Sequence, residues 1–136
     1  MLRSSCRRRC PFFAALILIG VGCSGQSGSY VPPEEKARHA LEAALTAWQH
    51  GEPMDRVQAD GTNISVNDSK WKSGQRLTSF EIVQTESPAE AADRPLVFLV
   101  RLKLEKAPAE KEYRYVVFGK NPLWVCDEDD YKRMSG

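Results

Sequence analysis

The stretch from Leu96 to Glu105, LVFLVRLKLE, decides the fold of this chain because its apolar side chains alternate. Alternation with a period of two predicts a β-strand that packs one face on a core. Val97 and Leu99 make the first half apolar on both faces, so we expect that end to be covered on both sides. The residues that we expect to face the core are Phe98, Val100, Leu102 and Leu104.

A helix is predicted before this strand, over residues Glu34–His50, EEKARHALEAALTAWQH. Pro32 and Pro33 precede it and Gly51 follows it, which agrees with a helix of this polarity. Residues at helical spacing form an apolar stripe that we expect to pack on the core: Ala37, Leu41, Ala44, Leu45 and Trp48.

Further strands are predicted on either side of Leu96–Glu105. The segment from Lys106 to Glu112 and the segment Gly119–Pro122 are typical of connections between antiparallel strands. One helix followed by meandering strands predicts an α+β fold, with a curved, four- to five-stranded antiparallel sheet packed on the helix. The remaining strand candidates are Thr62–Val66, Arg76–Thr85, Tyr113–Phe118 and Leu123–Cys126.

This element order resembles the cystatin-like architecture of the NTF2-like superfamily. Four further segments stand out: Ala47–Gly51 (AWQHG), Trp71–Leu77 (WKSGQRL), Phe80–Ile82 (FEI) and Tyr115–Gly119 (YVVFG). They resemble segments of a group of small lipoproteins of planctomycete-type bacteria, and the resemblance covers most of residues 34–126. Its motifs are structural and imply no chemistry. Catalytic NTF2-like members place an Asp or His base and a Tyr acid inside a cone, and no such set is assigned to this chain.

The first 22 residues are predicted to be a secretory signal peptide. Four arginines and no acidic residue lead into the apolar run Phe12–Val21, which is too short to span a membrane. The run ends in Gly20-Val21-Gly22-Cys23, which resembles the lipobox of a bacterial lipoprotein. The resemblance implies removal of residues 1–22 and a diacylglycerol thioether on Cys23. Cleavage nearby without lipidation, which would leave a soluble secreted protein, is the alternative.

Residues 23–33 are then a flexible tether, residues 34–131 a single domain and residues 132–136 a tail. We expect the lipid on Cys23 to anchor the domain to a bacterial membrane, facing the periplasm. Ser24 follows the cysteine where an aspartate would suggest retention in the inner membrane, which favours the outer membrane. The expected partners are that membrane and an envelope protein.

The charge of the chain argues against one class of partner, and its cysteine content argues against a disulfide. Beyond the leader the chain carries 15 basic and 18 acidic residues, a formal charge of −3, which argues against nucleic acid as a partner. Cys6 and Cys10 leave with the leader and Cys23 takes the lipid, so Cys126 has no cysteine to pair with. No cofactor is implied by any motif.

Several residue types that often carry chemistry are interpreted as structural. His39 and His50 lie about 16 Å apart on one helix, too far to share a metal. His39 is predicted to be solvated, and His50 is predicted to lie at the C-terminal end of the helix, near the negative end of its dipole. Cys126 is predicted to be a small core residue, because the acidic residues after it would not activate a thiol. The run Asp127–Asp130 is predicted to be a solvated tail, since it lacks the calcium-loop pattern. No metal site and no catalytic residue are predicted.

Trp71 is the one predicted binding residue within the domain. Trp48 is expected in the core, whereas Trp71 lies in the predicted loop Asn67–Gln75 and is expected to be exposed at the mouth of a cleft or against a partner.

The sequence therefore favours a non-enzymatic envelope lipoprotein that binds a protein or a small ligand. Two alternatives stay open. One is an NTF2-like isomerase, dehydratase or hydrolase with a conical pocket, and the other is a structural subunit of an envelope assembly. The groups that could supply an enzyme are Asp60, Asp68, His50 and Tyr113.

Overall fold

The computed structural model describes residues 31–86 and 95–136. The predictions for the signal peptide, for Cys23 and for all but the last residues of the tether lie outside these residues. Across the two described ranges no helix has both the length and the apolar character needed to span a bilayer.

The first helix, α1 (Glu34–Gln49), confirms the prediction made from the apolar stripe. All five stripe residues are buried, as are Ala40 and Ala47 between them. The helix ends because Gly51 adopts a left-handed conformation with φ of +74°, which a side chain would disfavour. Its amide donates to the Trp48 carbonyl at 3.0 Å and closes the last turn.

Within the described residues the sheet has six strands, and the prediction of a wholly antiparallel four- to five-stranded sheet is wrong in both respects. The strands are β1 (Gln58–Ala59), β2 (Thr62–Asn67), β3 (Leu77–Glu86), β4 (Leu96–Leu104), β5 (Lys111–Gly119) and β6 (Leu123–Asp127). They lie in the order β1-β2-β6-β5-β4-β3. Strands β3 to β6 form the predicted antiparallel meander, but β6 returns beside β2 and runs parallel to it. The α+β class and the curved sheet packed on a helix are confirmed.

One face of the sheet packs on α1 and forms the main core. The alternation predicted for β4 is confirmed, since Phe98, Val100, Leu102 and Leu104 are all buried on this face. Val97 and Leu99 on the opposite face are half-buried, so that end of the strand is only partly covered there.

A second, single-turn helix, α2 (Ser69–Lys72), follows β2 and was not predicted from the sequence. It occupies the middle of the segment Asn67–Gln75, which was predicted to be a loop. A short 3₁₀ turn at Met54–Arg56 lies between α1 and β1. Helix α2 contributes Lys70 to a buried set of charged groups and Trp71 to a surface groove.

The opposite face of β5 and β6 is covered by a further unpredicted helix, α3 (Glu128–Ser135). Tyr131 of this helix meets the ring of Phe118 edge to face, with ring centroids 5.3 Å apart. Cys126 and Val116, which pair across the two strands, are buried on this side. Helix α3 spans residue 131, where the domain was predicted to pass into a tail.

Candidate functional site

Helix α2 begins at a capping aspartate. The Asp68 carboxylate accepts hydrogen bonds from the backbone amides of Lys70 at 2.8 Å and Trp71 at 3.4 Å. An aspartate in extended conformation before a helix satisfies amides that have no partner within the helix. This cap turns the chain so that the side chains of Lys70 and Trp71 leave α2 toward two different regions.

The first region, which we call the polar cluster, consists of Asp68, Lys70, Tyr115 and Asp127. The Lys70 ammonium lies 2.7 Å from the Asp127 carboxylate and 3.3 Å from that of Asp68. The Tyr115 hydroxyl donates to the other oxygen of Asp68. The two aspartates and Tyr115 are 7% exposed or less. The Lys70 side chain is 15% exposed, so the cluster joins the end of β2 to α2, β5 and β6 through charged groups that are largely held away from water.

The pKa values of the cluster follow from this burial. Burial, and then the Asp68 carboxylate, raise the pKa of Tyr115 well above its usual 10.0, so the phenol stays protonated and donates. Burial lowers the pKa of Lys70, but Asp68 and Asp127 outweigh it and raise the pKa above 10.5. Lys70 is therefore a cation in the folded protein at neutral pH, and it also lies 4.4 Å from the centre of the Tyr113 ring.

An adjacent contact joins α2 to α3. Asp130 accepts a hydrogen bond from the Ser69 amide at 2.8 Å and another from the Ser69 hydroxyl. Burial alone would raise the pKa of Asp130, but these bonds, with Arg133 and Lys70, lower it below its usual 3.8. The prediction that Asp127–Asp130 is a solvated tail is wrong for Asp127 and Asp130, because both are buried and bonded. Only Asp129 of the run is exposed.

The polar cluster is closed as well as buried. Among the described residues, no buried side-chain nitrogen or oxygen lacks a hydrogen-bond partner. Four surface grooves with volumes of 280 to 650 Å³ are all lined by other residues. A substrate would have to displace existing bonds to reach these groups, so the arrangement fits a structural role.

The second region, which we call the tryptophan groove, lies between the end of α1 and the turn from α2 to β3. The rings of Trp48 and Trp71 stack with centroids 5.6 Å apart and planes 8° from parallel. The Trp48 indole nitrogen donates to the Gln75 carbonyl at 2.8 Å, which ties the turn to the helix. Trp48 is 3% exposed, whereas Trp71 is half-buried and lines the groove, whose volume is 570 Å³.

Polar side chains form the rest of the groove. The side-chain amide of Gln49 donates to the Thr78 carbonyl at 3.0 Å, and the backbone amide of Glu105 donates to the Arg76 carbonyl at 2.9 Å, so contacts to the backbone of β3 and of the turn before it fix the walls. A smaller groove of 280 Å³ continues past the same turn and is also lined by Gln75, Arg76 and Glu105. The exposed side chains around the main groove are Gln49, His50, Gln75, Arg76, Thr78 and Glu105.

Trp71 lies where a binding residue was expected, at the mouth of a cleft, but in a different setting. It belongs to α2 rather than to a loop, and it is half-buried because Trp48 covers one face of its ring. The Asp68-Ser69 pair before it is the sequence signal for this helix, since an aspartate often precedes the first turn. Arg76, Gln75 and Glu105 carried no signal of their own.

The four residues suggested for an enzyme lie in three separate places. His50 lies in the tryptophan groove, while Asp68 and Tyr113 both neighbour Lys70 and line none of the four grooves. Asp60 is exposed on another surface, and its carboxylate lies 3.4 Å from Nε2 of His39. No base and acid pair therefore faces a shared cavity among these residues.

Cys126 is a core residue, as predicted. It is fully buried, and burial followed by the Asp130 charge raises the pKa of its thiol to about 12. Such a thiol stays protonated and is a poor nucleophile. Within residues 31–86 and 95–136, no three His, Cys, Asp or Glu side chains are grouped so as to hold a metal ion.

No protein-family model matches this chain, and no curated protein or solved structure is significantly similar to it.

Proposed function

We propose that this protein is a non-enzymatic binding module of the bacterial cell envelope, and that the tryptophan groove is its binding surface. The observation that carries the proposal is the division of α2 between two regions. The charged groups of the polar cluster are largely buried and bonded to one another, whereas Trp71 and the polar groups around it remain open to a ligand. Ligand sites commonly combine an aromatic surface with a few polar groups that fix orientation.

The groove favours an uncharged or zwitterionic occupant. Arg76 and Glu105 bring one charge of each sign, and the amides of Gln49 and Gln75 are neutral. An aromatic ring held by a stacked neighbour contributes contact area at little cost in conformational entropy. The same surface could accept a small molecule or a side chain of an envelope protein.

The anchor in this proposal is the lipid on Cys23, supported by the basic start, the apolar run and the small residues before the cysteine. Two or more acyl chains hold a protein stably at a membrane, whereas one holds it marginally. Replacement of Cys23 by Ser should move the protein to the soluble fraction. Intact mass should show the leader removed and the acyl chains present in wild type; an unmodified thiol would contradict the anchor.

A photo-reactive amino acid at Thr78 tests the groove in living cells. Thr78 lines the groove and is exposed, whereas Glu81 is exposed on the same strand outside it and serves as the matched control position. We expect cross-linked products from position 78 and not from position 81, and we expect Trp71→Ala to abolish them. Equal cross-linking from both positions, or products that survive Trp71→Ala, would contradict the groove as the binding surface.

A further inference from the structure

Helix α2 is too short to hold its own position. A single helical turn fixes several backbone dihedral angles for very few hydrogen bonds, so it forms only where neighbouring groups stabilise it. Asp68 caps α2 from the preceding residue, and this contact sets the direction of the turn. The remaining contacts that hold α2 must therefore determine where the Trp71 ring lies.

Beside the stack on Trp48, several of those contacts come from the C-terminal part of the chain. Asp130 of α3 bonds both the amide and the hydroxyl of Ser69, the first residue of α2. Asp127, the residue that caps α3, holds the ammonium group of Lys70 at 2.7 Å. Just before the cap of α2, the Asn67 side-chain amide lies 2.9 Å from the sulfur of Met134, near the end of α3.

The two helices that α2 touches lie on opposite faces of the sheet. Helix α1 packs on the face that contains the main core, and α2 meets it through the Trp48–Trp71 stack. Helix α3 covers Phe118 and Cys126 on the other face, and α2 meets it through Ser69 and Asp130. Helix α2 thus bridges the two faces, with the groove on the side of α1.

We infer that Asp130 is a positioning residue for the tryptophan groove: by holding Ser69, it fixes α2 and keeps the Trp71 ring stacked on Trp48. The inference deepens the proposed function and rests on it for its biological use. A change at α3, such as contact with a partner or loss of the last residues, would alter the position of the Trp71 ring through this bond, although α3 lies on the opposite face of the sheet.

Fluorine NMR of the full-length protein labelled with 5-fluorotryptophan tests this without any ligand. Its three tryptophans, Trp48, Trp71 and Trp124, are assigned by single replacements with Phe. Well below the unfolding temperature, Asp130→Ala should shift or broaden the Trp71 resonance. Glu128→Gln is the matched control, because it removes an ion pair with Lys132 within α3 and leaves the contacts of α2 in place; it should leave Trp71 unchanged.

Ser69→Ala keeps the inference testable if Asp130→Ala fails to fold. It removes the hydroxyl bond from the α2 side and leaves α3 and the Asp130 charge in place. We expect a smaller change at Trp71, with Trp124 unchanged because its ring stacks on Phe118 beneath α3. A general loss of structure would move Trp124 as well.

An unchanged Trp71 resonance in a folded Asp130→Ala or Ser69→Ala protein would overturn the positioning role. That result would leave cross-linking from Thr78 in wild type intact. If the groove binds nothing, position 78 of the wild-type protein gives no cross-link, whereas the change in the fluorine resonance of Trp71 is still observed. The two failures are therefore distinguishable.

Discussion

The polar cluster and the tryptophan groove share one helical turn and differ in the physical properties that decide function. The cluster concentrates titratable groups, satisfies each of them and lies away from the grooves. The titratable groups of the groove are exposed, and its aromatic ring and its polar rim are accessible. The comparison teaches that strongly perturbed groups are not by themselves a functional site: here they hold one wall of the groove that we propose as the binding surface.

The largest effect should come from removing the centre of the cluster. Asp68→Ala removes the cap of α2, leaves the buried Tyr115 hydroxyl without its acceptor and leaves Lys70 with Asp127 as its one carboxylate partner. We expect a loss of about 2–5 kcal/mol in the free energy of unfolding, measured in urea, from the lost cap and the unsatisfied hydroxyl. Asp55→Ala, at an exposed aspartate in a short turn, is the control and should cost less than about 0.5 kcal/mol. Equal costs would remove the structural role of the cluster.

The free energy of unfolding should also fall in alkali, because the pKa values of the buried Cys126 thiol and Tyr115 hydroxyl are raised in the folded protein. The pKa of Cys126 is about 12 in the folded protein against an ordinary 9.0, so its contribution is intact below pH 9 and falls as the pH rises from 9 to 12. The slope is at most about 1.4 kcal/mol per pH unit. Tyr115 adds a similar loss above pH 10, since its pKa is also raised.

Cys126→Ala isolates the thiol, because the Tyr115 contribution remains in both proteins. Urea unfolding between pH 8 and pH 11 should show a shallower alkaline slope in the variant, whatever its stability at neutral pH. Identical slopes would mean that the thiol is not shielded in the folded protein.

The features that were predicted correctly have local sequence patterns, whereas those that were missed depend on residues far apart in the chain. Helix α1 and strand β4 were predicted nearly to the residue because their patterns lie within one element. The pairing of β2 with β6 depends on segments almost sixty residues apart, and no local pattern indicates it. The burial of Asp130 depends on Ser69 in the same way, so the acidic run was interpreted from its composition alone.

Trp71 is the one residue of the candidate site that was predicted from the sequence, because its neighbours in the sequence carry a local signal. Trp71 is a large aromatic beside polar and turn-forming residues, which suggested exposure at a cleft. Its partner Trp48 was expected in the core and is there, but the stacking of the two rings joins residues of two different helices and was not predicted. Arg76 and Glu105 become neighbours only through the pairing of β3 with β4.

A smaller effect on stability is expected at the groove. Trp71→Ala removes a half-buried ring and its stack on Trp48, which should cost about 1–2 kcal/mol, below the value for a fully buried aromatic. The same variant should lose the cross-link from Thr78 completely. A cost above that of Asp68→Ala would reverse the comparison and make Trp71 chiefly a core residue.

The smallest effect should come from the rim. His50 is exposed at the end of α1 and lines the groove. We expect His50→Ala to change the free energy of unfolding by less than about 0.5 kcal/mol in urea. A loss above about 1 kcal/mol would show that His50 stabilises the fold, which would contradict the distinction between a stabilising polar cluster and an accessible groove.

Hydroxyl-radical footprinting of the two half-buried indoles tests the central claim most directly, since it reports an occupant of any chemical class. Trp71 lines the groove, and Trp124, on the opposite face beside Phe118, is an internal reference. We predict that oxidation of Trp71 is several-fold lower in native envelopes than in the purified protein, while oxidation of Trp124 is the same in both. Equal oxidation of Trp71 in the two preparations would contradict the account.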